Sequence, residues 1–98
     1  MTITWSPAAL ADLSNVYTYI ADDSSESAER VVRAIVDAAE GLVNFPLMGR
    51  EGAVPGTRER IMSRYRYEII YRVQNDHIEL VRVLLNVARG AKMAVNTG

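Results

Sequence analysis

Thr57-Arg58-Glu59-Arg60-Ile61-Met62-Ser63-Arg64-Tyr65 is followed, after Arg66, by Tyr67-Glu68-Ile69-Ile70-Tyr71-Arg72-Val73-Gln74; Asn75-Asp76 then turns the chain into residues 77–85. Side chains alternate faces along a strand, so each run presents two surfaces. Arg58, Arg60 and Arg64 share one register of the first run, and Tyr67, Ile69, Tyr71 and Val73 share one register of the second. The pattern predicts three antiparallel strands over residues 57–65, 67–74 and 77–85. Asn and Asp at the tip suit the left-handed conformation of a tight hairpin.

Upstream of this sheet the period changes. Thr2-Ile3-Thr4-Trp5 alternates polar and apolar residues and reads as a short strand. Ser6-Pro7 marks a helix start, because Ser accepts a backbone N–H bond and Pro fits the first helical position. Ala9, Leu10, Leu13, Val16, Tyr17 and Ile20 recur every three or four positions and predict one buried stripe. Asp23 followed by Glu26 resembles a capping box for a second helix. Its apolar stripe is Ala28, Val31, Val32, Ile35, Ala39 and Leu42, and Phe45-Pro46 is expected to end it. The sequence therefore predicts an α+β fold: a short N-terminal strand, a helical hairpin, then a three-stranded antiparallel sheet. Residues 47–56 read as the one long connection and residues 86–98 as a short terminal segment with a frayed end.

Ninety-eight residues suit a single domain spanning 1–98. The absence of cysteine excludes disulfides and thiolate metal sites. No apolar run approaches the ~20 residues that span a bilayer, so a cytoplasmic protein without membrane contact is expected. The net charge of −1 hides a division. Residues 1–49 carry seven acids against two bases, a net −5; residues 50–98 carry nine bases against five acids, a net +4. Such asymmetry points to faces with different partners.

The arginines are the foremost functional candidates, since the planar guanidinium pairs carboxylates or phosphates through two parallel bonds. Arg58, Arg60, Arg64, Arg66, Arg82 and Arg89 form the expected target-binding set. If Tyr67, Ile69 and Tyr71 face the helices, Ile70 faces outward, together with either Leu80 and Leu84 or Val81 and Val83. An open apolar sheet face calls for a covering partner. Asp12, Asn15 and Tyr19 on the first helix, with Ile70 and Arg72 on the sheet, form the expected set for that partner. The acids Asp12, Asp22, Asp23, Glu26 and Glu29 lack an accompanying His, and helix capping accounts for several. No metal and no cofactor are expected.

In order and spacing, the chain resembles the ParE branch of the RelE/ParE toxin superfamily from about Ile3 to Arg89. The marks are Trp5-Ser6-Pro7-Ala8-Ala9 with Asp12-Leu13, and Tyr19-Ile20-Ala21. Phe45-Pro46-Leu47-Met48-Gly49-Arg50, Val54-Pro55-Gly56-Thr57-Arg58-Glu59 and Tyr67-Glu68-Ile69-Ile70-Tyr71-Arg72-Val73 follow, then Val81-Arg82-Val83-Leu84 with Ala88-Arg89. The resemblance implies the toxin of a toxin–antitoxin pair, of the kind that stabilises plasmids. ParE-like members act against DNA gyrase and are neutralised by a ParD-like antitoxin with a ribbon-helix-helix part. Contact with DNA would then be indirect, through the antitoxin.

RelE-like members instead cut messenger RNA on the ribosome. Metal-free RNA cleavage needs a base for the 2′-hydroxyl, a donor to the leaving oxygen and cations on the phosphate. Arg60, Glu68 and Arg89 are the residues available for that chemistry. RelE-type nucleases resemble this chain but carry Arg after the aromatic that begins the second sheet strand, where Tyr67 here precedes Glu68. Many also carry a terminal Tyr, and residues 86–98 contain no aromatic. The set is incomplete, which favours toxicity by binding, with no catalytic residue. The ParE pattern is also altered: Leu84-Leu85-Asn86-Val87-Ala88-Arg89 lacks the His of many relatives. That departure leaves a third reading, a non-toxic antitoxin-binding module and co-repressor.

Overall fold

The computed structural model describes residues 1–86. In chain order these form β1 (Thr2–Trp5), α1 (Pro7–Ala21), α2 (Ser25–Gly41), β2 (Arg50–Glu51), β3 (Arg58–Ile61), β4 (Tyr67–Val73) and β5 (His77–Leu85). The strands make one sheet in the order β1-β5-β4-β3-β2, with β1 parallel to β5 and the other pairs antiparallel. The helical hairpin covers one face, α1 lying on β5 and α2 reaching β4. The predicted α+β architecture is therefore present, with one addition, the two-residue β2 in the connection.

Local chemistry explains the helix ends. Ser6 accepts the Ala9 N–H at 3.0 Å and Pro7 occupies the first turn, as its sequence predicts. The second start falls one residue later than expected: Ser24, not Asp23, caps α2 by accepting the Ser27 N–H at 3.1 Å. The helix also stops earlier, at Gly41, where tight turns take over with Leu42 N–H to the Ala39 carbonyl and Val43 N–H to the Glu40 carbonyl. Glycine lowers the stability of a last helical turn, so the end comes before Phe45-Pro46. The α2 stripe is confirmed by Ala28, Val31, Ile35, Ala39 and Leu42, all buried. The α1 stripe is narrower than its period suggested, because Leu10 and Tyr17 are exposed.

Two features of the sheet depart from simple alternation. The strand expected over residues 57–65 ends at Ile61, because Met62 turns into the core and its N–H bonds the Tyr67 carbonyl at 3.0 Å. Arg64 and Arg66 consequently stand on a turn and not in register with Arg58 and Arg60. In β5, Ile70 pairs with Arg82 while Tyr71 pairs with Leu80, so Val81 is an extra residue, a β-bulge. The bulge shifts the alternation by one. Ile78, Leu80 and Val83 all point to the core, against Ile69 and Tyr71, while Leu84 remains outward. Neither of the two outward pairs offered by the sequence is realised intact. At the tip of the β4–β5 hairpin, the Gln74 N–H bonds the His77 carbonyl at 2.8 Å, and Gly56 is the one residue with positive φ among those described.

Strand β1 runs beside only residues 77–80 of β5. Past Leu80 the exposed edge of β5 is sealed by the start of α1. The Ser6 hydroxyl donates to the Val81 carbonyl at 2.8 Å, and Asp12 accepts the Val83 N–H at 2.9 Å. Edge groups that would otherwise recruit another strand are thus satisfied internally.

Candidate functional site

Strand pairing divides the arginines between the two faces of the sheet. Arg58 lies opposite Tyr71 and Arg60 opposite Ile69, so both stand on the face that carries the helices. Glu59 lies opposite Ile70, and Ile61 opposite Glu68, so these stand on the open face with Arg82 and Leu84. Arg60 and Glu68 therefore point to opposite sides.

On the open face each arginine has an acidic partner. Arg50 pairs with Glu59 at 3.0 Å, Arg72 with Glu79 at 3.5 Å, and Arg82 with Asp12 through two bonds of 2.7 and 2.9 Å. The Asp12 carboxylate, 12% exposed, also holds the Val83 N–H, and the hydrogen bonds from Arg82 keep it below the ordinary carboxylate value. Glu68 sits between Ile61 and Leu84 on the neighbouring strands. Burial pushes its carboxyl up, and the nearby Glu59 adds to this more than Arg50 offsets it. Ile61, Ile70 and Leu84 give this face an apolar component, all partly buried.

On the helical face Arg58 is tied to the connection between α2 and β3. Its guanidinium donates to the Gly49 carbonyl at 2.7 Å and the Leu47 carbonyl at 3.4 Å. Tyr71 holds the same segment from below, donating to the Pro46 carbonyl at 2.8 Å and accepting the Gly49 N–H at 2.9 Å. This anchored backbone presents Phe45, Leu47 and Met48 outward, at 65%, 66% and 56% exposure. Sequence reasoning missed that feature and read residues 47–56 only as a connection. The signal was available, as an apolar run inside a connection rich in turn residues.

Arg60 donates one N–H to the Ile61 carbonyl, while its Nε–H is buried with no acceptor among the described residues. It borders a groove between α2 and the turn after β3, to which Arg30, Arg33 and Arg64 also belong. The α2 arginines were not singled out from the sequence, although they are the only two bases among residues 1–49. Arg66 is exposed on the same turn, and Arg89 lies outside the described residues. Asn15 and Tyr19 are exposed on α1, Tyr19 at 79%. Tyr19 approaches Tyr67, whose hydroxyl is pushed up first by burial and then by this second phenol. Tyr67 pairs across the sheet with exposed Leu85, so the three form a partly open apolar end to the helical face.

Among the described residues no group of three or more His, Cys, Asp or Glu side chains converges as a metal site. No helix among them is long and apolar enough to cross a membrane.

The helical hairpin laid on a sheet of this order is a fold shared with solved toxin–antitoxin systems. It superposes on the chromosomal ParDE toxin–antitoxin system from P. aeruginosa with a TM-score of 0.78 and 30% sequence identity, covering 87% of this chain and 95% of that one. It also shares the fold of the RelBE2 toxin–antitoxin complex from Mycobacterium tuberculosis, with a TM-score of 0.64 at 22% identity. Residues 3–85 match the family of the ParE toxin of the type II toxin–antitoxin system parDE, and the chain belongs to that family. It is 35% identical over 82 residues to the putative toxin Y4kP of Sinorhizobium fredii, covering 84% of each chain. It is 30% identical over 81 residues to toxin RelE2 of Caulobacter vibrioides, covering 83% of this chain and 90% of that one.

Proposed function

We propose that this toxin inhibits DNA gyrase by binding it, and that a ParD-like antitoxin holds it inactive. The observation that carries the non-catalytic reading is the separation of Arg60 and Glu68 onto opposite faces of the sheet. A base and a phosphate-holding cation must reach the same scissile bond, and residues that point through opposite sides of a sheet do not. Arg50, the cation that acts on Glu68 among the described residues, is itself bonded to Glu59. The exposed Arg64 and Arg66, with the rim residue Arg60, remain as contacts for an acidic target. Arg58 on the helical face and Arg82 on the open face contribute more by positioning, given their bonds to Gly49 and Asp12.

The antitoxin reading draws on two toxin–antitoxin systems among the structural relatives. The partly apolar open face around Ile70 and Arg72, with the exposed Asn15 and Tyr19 of α1, supplies surface for such a partner. Asp12 lends support beneath it.

A supercoiling assay with purified bacterial gyrase and the antitoxin-free chain tests the target. Inhibition with trapped, cleaved DNA is the expected result. Full supercoiling activity at micromolar folded toxin would overturn it, and codon-phased cuts in messenger RNA on primer extension would replace it with the nuclease reading. Absence of growth arrest on induction would leave the antitoxin-binding module.

A further inference from the structure

We propose that the groove between α2 and the turn after β3 grips the phosphates of duplex DNA. In the gyrase complex the toxin then meets the DNA directly and not only through its antitoxin, and this part rests on the gyrase reading above. The groove is an open trough of about 480 Å³, approached by Arg30 and Arg33 from α2, Arg60 from β3 and Arg64 from the turn. Asp37 is the one acid that lines it, so four positive charges stand against one negative. Both bases of residues 1–49 are on the α2 wall, which carries the basic half of the chain across onto an otherwise acidic helix. Exposed charges beyond a Debye length, about 8 Å at physiological salt, are largely screened. The local excess, and not the net charge of −1, therefore sets what the trough attracts.

These cations are not spent on internal partners. Arg30 reaches Glu26 only at 3.5 Å, with both side chains exposed, a geometry that contributes little. Arg33 and Arg64 have no ion pair among the described residues. Arg60 is partly desolvated, with its Nε–H buried and without an acceptor among those residues. A desolvated donor that lacks an acceptor costs free energy, and an arriving anion offsets that cost.

The charge excess and the lining decide the kind of anion. A single carboxylate leaves most of the excess unneutralised, whereas a nucleic-acid backbone brings one negative charge with every nucleotide. The planar guanidinium is the side chain best matched to phosphate oxygens. Ala34 and Ala38, one turn apart on α2, keep that wall low enough for a backbone to come close. Unpaired bases need open aromatic faces on which to stack, but the one ring in the trough, Tyr65, already has the Arg64 guanidinium 5.8 Å from its centroid. No Asn or Gln lines the trough to read an adenine edge. What remains is contact with the backbone of a duplex, which positions a protein without reading sequence. Arg60 and Arg64 also belong to the proposed target surface, so gyrase and its DNA are met side by side.

The test is fluorescence anisotropy with the full chain, titrated at several salt concentrations between about 0.05 and 0.2 M. The probes are two labelled duplexes of unrelated sequence, labelled oligo-dT and a labelled poly-Glu peptide. The two duplexes should bind equally within about twofold, and the other probes at least about fivefold more weakly. The slope of log K against log salt for the duplexes should be about −3, as three to four phosphate contacts require. The double variant Arg33→Gln/Arg64→Gln should bind about tenfold more weakly at the lowest salt and lose about two from that slope. Arg50→Gln, on the opposite face, should leave the slope unchanged. Both altered groove positions are exposed, and an unchanged thermal melt confirms that the variant folds. No duplex binding, an unaltered slope in the double variant, or tighter binding of oligo-dT or poly-Glu overturns the inference. The supercoiling assay separates the two readings. A wild-type chain that binds duplex with this slope but leaves supercoiling untouched sinks the gyrase reading and keeps the groove. A double variant that has lost duplex binding yet inhibits gyrase as well as the wild type sinks the DNA contact alone.

Discussion

The hydroxyl of Tyr71 lies 2.9 Å from the Gly49 nitrogen, and a Cβ added to Gly49 would stand 2.7 Å from that same oxygen. The second sheet strand thus fixes the connection from α2 at a position where only glycine fits. Gly49→Ala should lower stability by roughly 1–3 kcal/mol, as overpacking does. Tyr71→Phe leaves the Gly49 N–H buried and unpaired, a cost of about 1–3 kcal/mol. Urea denaturation of both variants and their combination should give a double-mutant effect below the sum. Full additivity would mean that the contact does not couple the two.

Asp12 holds both Arg82 and the Val83 N–H. Asp12→Ala should cost roughly 1–3 kcal/mol through the unpaired edge amide. Arg82→Met should destabilise less, because the bond to Val83 survives. The folded carboxyl titrates below its ordinary 3.8. Its contribution is complete at neutral pH and is lost as pH falls through that lower folded value. The melting-temperature gap between wild type and Asp12→Ala should therefore narrow below pH 3.8. A gap that stays constant would remove the ionised carboxylate from the account.

Glu68 titrates in the opposite sense. Burial raises its folded value above 4.5, so the protonated form is favoured in the fold and stability is lost as pH rises through the raised value. Glu68→Gln should raise the melting temperature at pH 7 modestly, corresponding to a stability gain of roughly 0.5 kcal/mol or less for a partly exposed group. It should also leave toxicity on induction intact. Loss of growth arrest with normal folding would return Glu68 to the chemistry.

Arg64 and Arg66 are exposed on the turn after β3. Reversing both to Glu should weaken gyrase inhibition about tenfold or more while the melting temperature changes little. Equal inhibition by the variant would move the target surface elsewhere.

Ser24→Ala should destabilise by about 1 kcal/mol, within the usual range for a helix cap, and Asp23→Ala by much less. Equal effects on the chemical-denaturation midpoint would contradict the observed cap.

These cases also mark how far the sequence was legible. Periodicity found both helices and the order of the main strands, because burial of one face imposes 3.6- and 2-residue repeats. It failed at Val81, where one extra residue moves Val83 into the core, since a bulge leaves no mark in an apolar run. It failed at Arg64, where Met62 turns inward and ends a strand whose alternation continues on paper. Arginine was recognisable as an anion-binding residue. Its allotment to faces was not, because Arg82 finds Asp12 seventy positions away. The groove needed α2 and β3 side by side, a relation that no local pattern contains.

Strand β1 finds its hydrogen-bonding partner in β5, the last strand among the described residues. Strand β1 pairs with residues 77–80, and the bond from Ser6 to Val81 spans 75 positions. Contacts of such range form late and slowly, after the intervening chain is available. During translation the helical hairpin emerges first, without the strand that its Val16 and Ile35 help to bury. The sheet consequently closes only once β5 is available. A chain cut short before β5 therefore lacks Ile78, Leu80 and Val83 of the core and the strand on which β1 and α1 rest.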